Sequence, residues 1–158
     1  MKKSLTSQKS LSGFTLIELL VIIAISIVMA SLVIFAFYNL LSSQSLSKDF
    51  SSVVALTERS RSMSMNSKND SSFGVHFAST SATLFSGPSY SATSSLETYY
   101  LNARTKISGI SLTGGTSNIV FNKITGYASA TGTVSLVLVS STSSLKSLTV
   151  FQTGVIQY

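Results

Sequence analysis

Glu18 is the one carboxylate in a stretch that is otherwise uncharged from Phe14 to Leu41, and no other charge follows it until Lys48. At mid-bilayer depth an unpaired carboxylate costs roughly 2.5 kcal/mol or more, so it must reach the headgroups or meet a positive partner. The chemistry it offers is charge neutralisation. Elsewhere the reactive side chains are sparse. His76 is the sole histidine and cysteine is absent, which leaves neither a multi-histidine site nor thiolate ligands for a metal. Asp49, Glu58, Asp70 and Glu97 are scattered along the chain and suggest no carboxylate site. His76 alternates with Val75 and Phe77, as an ordinary strand residue would. The many serines define no nucleophile–base–acid arrangement, since local spacing does not identify one. Thr113-Gly114-Gly115-Thr116 lacks the glycine spacing and the lysine of a phosphate loop and reads as a turn. No catalytic residue, metal or cofactor is expected, and the chain is not expected to be an enzyme.

The elements that would carry Glu18 follow from hydropathy. Residues 14–38 are long enough, at ~1.5 Å per residue, to cross a hydrocarbon core of ~30 Å as a helix. The preceding residues, 1–13, are polar and basic (Lys2, Lys3, Lys9) and contain no apolar segment of their own. An ordinary secretory signal places its apolar segment before the cut, so here the anchor would survive processing. The positive-inside rule puts the three lysines in the cytoplasm and the rest of the chain outside it. A plain signal anchor would also fit the hydropathy, but would leave Glu18 without a purpose.

Beyond the anchor the pattern changes twice. Over 42–66 no Pro or Gly breaks the helix, and Leu46, Phe50, Val53, Val54, Thr57 and Ser60 recur at spacings of three and four, while Lys48, Glu58 and Arg59 point elsewhere. This predicts an amphipathic continuation, giving a helix of roughly 50 residues or about 75 Å. A hinge at Ser42-Ser43 is the alternative. The polar segment 66–72 ends the helix. Short β-rich runs follow at 73–77, 82–85, 97–101, 106–112, 118–121, 133–139 and 148–151, with 155–158 as a further candidate. Gly87-Pro88, Gly114-Gly115, Gly126 and Gly132 supply turns between them. The expected class is therefore α+β. A long N-terminal helix, transmembrane over 14–41 and amphipathic over 42–66, packs on an antiparallel β-sheet or β-sandwich formed by 67–158.

Composition agrees with an anchored single domain. Mean hydropathy is +0.42 with only 10% charged residues, which the anchor largely explains. Removing residues 1–41 leaves about 115 residues, enough for a small core. Net charge is +6; without the three lysines of 1–13, eight basic residues face five acidic ones, too mild an excess to imply nucleic acid.

Gly13-Phe14-Thr15-Leu16-Ile17-Glu18, after a short basic leader and ahead of the apolar run, resembles the processing site of type IV prepilins and type II secretion pseudopilins. The resemblance implies a structural filament subunit. A prepilin peptidase would cut after Gly13, Phe14 would become the N-methylated first residue, and Glu18 would neutralise the amino group of a neighbouring subunit. The implied partners are the peptidase, other pilin or pseudopilin subunits, an inner-membrane assembly platform and membrane lipid. The implied location is the inner membrane in a single pass, with the C-terminal domain periplasmic or extracellular. Residues 55–62 and the runs Ile119-Val120-Phe121-Asn122, Thr133-Val134-Ser135-Leu136 and Leu148-Thr149-Val150-Phe151 are similar to the minor pseudopilin H and FimT-like group. The lack of cysteine, and so of a C-terminal disulfide loop, also favours a minor subunit. Some FimT-like pilins are associated with DNA uptake, and Arg59, Arg61, Lys68, Arg104, Lys106, Lys123 and Lys146 could contact phosphates if they converged. Their spread along the chain argues for an ordinary solvated surface instead.

Overall fold

The computed structural model describes residues 13–66 and 70–158. It begins with one α-helix, α1 (Leu16–Met65), uninterrupted at Ser42-Ser43. Two units are distinguished along the chain, Met1–Asn39 and Leu40–Tyr158. In the first, every described residue from Gly13 to Tyr38 is exposed, including Leu16, Ile17 and Phe35. The helix is long and apolar enough to cross a membrane. Its few hydroxyls are satisfied internally: Ser26 Oγ donates to the Ile22 carbonyl at 2.8 Å and Ser31 Oγ to that of Val28 at 2.7 Å. Such back-bonding spares a hydroxyl the cost of lying unpaired in hydrocarbon.

In the second unit the helix is amphipathic, as its spacing predicts. Leu46, Phe50, Val53, Val54, Thr57 and Ser60 are all buried, while Lys48, Glu58 and Arg59 are exposed. Thr57 is accommodated because its hydroxyl donates to the Val53 carbonyl at 2.8 Å. Ser64 accepts the Phe73 N–H at 2.8 Å, which ties the end of α1 to the first strand.

Eight strands follow: β1 (Phe73–Ala78), β2 (Ser81–Ser86), β3 (Ser95–Tyr100), β4 (Thr105–Leu112), β5 (Asn118–Phe121), β6 (Gly132–Leu138), β7 (Ser141–Val150) and β8 (Ile156–Gln157). They form two antiparallel four-stranded sheets, ordered β3-β2-β1-β5 and β4-β6-β7-β8. The two sheets share one core with α1, in which Val75, Phe77, Leu84, Phe121, Leu136 and Leu148 join Val53 and Phe50. Gly74 is what lets the first sheet close. A Cβ there would stand 2.5 Å from Phe85 Cζ and 2.6 Å from the Ile119 carbonyl oxygen.

Two strands differ from expectation. β7 starts seven residues before the predicted 148, because Leu145, Lys146 and Ser147 pair with Val137, Leu136 and Ser135 although no apolar alternation marks them. The last strand shrinks to two residues, since the chain first turns through Gly154 at φ +77°.

Asp49 was not anticipated as a buried residue, yet it is only 2% exposed. Its carboxylate accepts the Tyr99 hydroxyl at 2.8 Å, the Asn102 backbone N–H at 2.9 Å and the Thr105 hydroxyl. One helical side chain thus holds β3, the β3–β4 turn and β4. Burial pushes the Tyr99 phenol above its usual value, with Asp49 adding to the rise and Ser52 opposing it. A phenol whose pKa is raised on folding contributes stability that is fully present below about pH 10 and lost as pH climbs through the folded value. Asp49→Ala, which strands three donors, is expected to lower stability by about 3 kcal/mol in urea titrations of the solubilised chain. The thermal midpoint should also fall above about pH 10. Tyr99→Phe should flatten that alkaline limb.

Candidate functional site

The residues singled out by chemistry meet at the start of α1. Gly13, Phe14 and Thr15 precede the helix, and all three are exposed. The Thr15 carbonyl accepts the Leu19 N–H at 3.2 Å, and its hydroxyl accepts the Glu18 N–H at 3.3 Å. Thr15 is therefore the N-cap and Glu18 the third helical residue, the Thr-x-x-Glu order of a capping box. This gives Thr15 a local role that the hydropathy pattern does not reveal, although the spacing of the two residues carries the signal. Its carboxylate lies in the first turn, where the helix dipole favours negative charge. The side chain is exposed and takes part in no ion pair among the described residues. Lys2, Lys3 and Lys9 lie outside the described residues.

The remaining candidates are structural. His76 Nδ1 is 2.6 Å from Asn118 Oδ1, and its ring stacks on Tyr90 with centroids 4.0 Å apart and planes 7° from parallel. This joins β1, β5 and the loop after β2. Among the described residues no group of three or more His, Cys, Asp or Glu is placed to hold a metal ion.

Several cations among the described residues engage separate partners. Arg59 pairs with Glu97 at 2.5 Å, Lys123 pairs with Asp70, and Lys146 lies 5.5 Å from the centre of the Phe50 ring. Arg61 packs instead against the turns at Gly126 and Gly154 and reaches the Thr153 carbonyl at 3.5 Å. Lys106 on β4 stands opposite Val137 and Lys146 on β7 opposite Leu136, successive residues of β6, so the two lysines are on opposite faces of the second sheet. Lys68 lies outside the described residues. Beside Arg61 runs a groove of ≈ 330 Å³ between the last turns of α1, including Glu58 and Met65, and the β7–β8 turn.

No family model and no curated protein matches the chain. Among solved structures, the type IV minor pilin FimU of Pseudomonas aeruginosa superposes with a TM-score of 0.54, over 71% of this chain and 90% of that one, at 13% identity. The fold is that of a type IV minor pilin.

On this pilin fold one backbone position stands out. Ile124, in the loop after β5, has φ +69° and a side chain 68% exposed; its N–H donates to the Ser64 carbonyl at 3.1 Å. A β-branched residue gains nothing from water and is sterically disfavoured in the left-handed region by roughly 1–2 kcal/mol. Ile124→Asn tolerates that conformation and keeps the N–H bond. It is expected to raise the thermal midpoint of the pilin fold by about 4 °C, measured by circular dichroism.

Proposed function

We propose that the chain is a structural subunit, a minor pilin or pseudopilin, of a type IV pilus or a type II secretion pseudopilus. The observation that carries this reading is an exposed apolar helix whose first turn bears Glu18, four residues after Phe14, on a chain with the fold of a minor pilin. Such a subunit would sit in the inner membrane in a single pass, with its N-terminus cytoplasmic and its C-terminal domain periplasmic or extracellular, until incorporated into a filament.

Prepilin peptidase would cleave after Gly13, and the new amino group of Phe14 would be N-methylated. The ammonium so exposed is the positive partner that Glu18 of a neighbouring subunit lacks among the described residues of the single chain. At 4 Å such a pair is worth about 1 kcal/mol in bulk water and about 4 kcal/mol at an effective dielectric of 20. It therefore gains strength where helices pack and exclude solvent, and it sets their axial register. The other partners would be the assembly platform, membrane lipid and further pilin or pseudopilin subunits. A DNA-binding minor pilin on the same scaffold has no observation in its favour, since the positive side chains are dispersed and several are paired.

Replacing Gly13 with a bulky residue, as in Gly13→Leu, should leave the leader attached, seen as the loss of the processing shift on an immunoblot. Glu18→Gln keeps a side chain that suits the third position of a capping box but removes the charge. It should be cleaved normally and be recovered in sheared filaments at a level at least fivefold below the parent. Equal recovery would rule out the charge pairing.

A further inference from the structure

The bond to be cut lies just outside a helix that would otherwise have every reason to continue over it. The first four N–H groups of any helix lack intrahelical partners, and near a hydrocarbon phase leaving them unpaired is costly. A helix facing this cost starts at the residue that best satisfies one of them. Here that residue is Thr15, whose hydroxyl takes the Glu18 N–H. The next residues of a capping type toward the N-terminus are Gly13 and Ser12. A start at either would draw Phe14 into the first turn. The bond between Gly13 and Phe14 would then lie at or within the helix.

Peptide-bond hydrolysis needs the opposite arrangement. Water adds across the link, its oxygen to the Gly13 carbonyl carbon and both its protons, in the end, to the Phe14 nitrogen, leaving a carboxylate and an ammonium. The carbonyl must be open to attack from one face, and a carbonyl inside a helix is committed to the N–H four residues on and hemmed in by its own turn. In this structure Gly13 and Phe14 are non-helical and exposed, and Thr15 marks the boundary.

We infer that Thr15 is a positioning residue for processing: by capping α1 it fixes where the helix starts and so keeps the Gly13–Phe14 bond unwound for the peptidase. This rests on the reading that the chain is cut after Gly13, and it adds a residue to which that reading gave no part. Thr15 touches neither the water nor the reacting carbonyl; it acts through the helix start. The same register leaves the Phe14 amino group, once freed, outside the helix.

The test is the initial rate of leader removal from the full-length chain in membranes containing a prepilin peptidase, with the new N-terminus read by mass spectrometry. Four chains are compared: the parent, Thr15→Val, Thr15→Ser and Thr15→Asn. Valine matches threonine in shape and cannot cap, whereas serine and asparagine cap well. Thr15→Val should be cut about fivefold more slowly, the factor that loss of a typical N-cap takes from a helix-start equilibrium, while Thr15→Ser and Thr15→Asn should stay within twofold of the parent. A Val variant cut at the parental rate overturns the inference, as does a Ser or Asn variant as slow as Val, which would mean that the peptidase recognises the threonine itself. A parent chain cut elsewhere or left intact removes the underlying reading instead. Thermal unfolding of the β-rich unit should be the same in the four chains, because Thr15 is exposed and belongs to the Met1–Asn39 unit.

Discussion

A carboxylate removed from water must be given back its hydrogen bonds, and around Asp49 this requirement organises the globular unit. Three donors serve it, from β3, from the turn that follows and from β4. These elements belong to different sheets: β3 is the edge of the first and β4 the edge of the second. The chain crosses from one sheet to the other between them. A hydrophobic helix face could slide along such a junction by a residue or two with little change in buried area, because burial is non-directional. A buried charge surrounded by fixed donors cannot. Asp49 thus sets the register of α1 against the β-rich part, and the apolar residues around it, Val53 and Phe50 above all, supply the cohesion.

Much of this architecture was legible in the sequence, for identifiable reasons. The three- and four-residue spacing from Leu46 to Ser60 announced the buried face because each of those side chains is small or apolar. Strands such as β1 and β5 announced themselves through β-branched and aromatic residues bounded by turns. Asp49 escaped because a charged residue on an amphipathic helix is read as facing water. Only the tertiary structure brings Tyr99 and Thr105 to it, from some fifty positions away. The first half of β7 escaped for a similar reason. Its serines and Lys146 have no pattern of their own and take strand form from pairing with β6, whose Val134 and Leu136 fill the core. At the candidate site, Glu18 stands out by its charge in an apolar run, and Gly13 and Phe14 only through the resemblance to a processing motif. The part of Thr15 was present in the spacing but overshadowed by hydropathy.

The two units solve the burial problem in different ways. From Leu40 onward the chain supplies its own apolar partners and forms a closed core of helix and sheets. The described residues before Asn39 are all exposed. Leu16, Ile17, Leu19, Leu20, Ile22 and Ile23 remain exposed within the single chain, so the surroundings must provide what the fold does not. Lipid would meet that demand, and so, on the proposed reading, would the helices of other subunits, since each is as apolar as the residues it covers. On the proposed reading, what distinguishes them is Glu18, which the hydrocarbon leaves unpaired and a neighbouring amino terminus would pair. In that proposal a single acidic side chain would separate residence in the membrane from entry into a filament.

Gly74 carries a last implication, for how this chain can drift. Its Cα faces a phenyl ring from β2 and a main-chain oxygen from β5 at once. Trimming Phe85 would clear only one of these obstacles, and the other belongs to the backbone, which no change of amino acid removes. The position is barred from two directions, so no single substitution elsewhere in the sheet can license a side chain there. Descendants of this sequence can vary widely along their exposed strands and still have no second letter to use at that site.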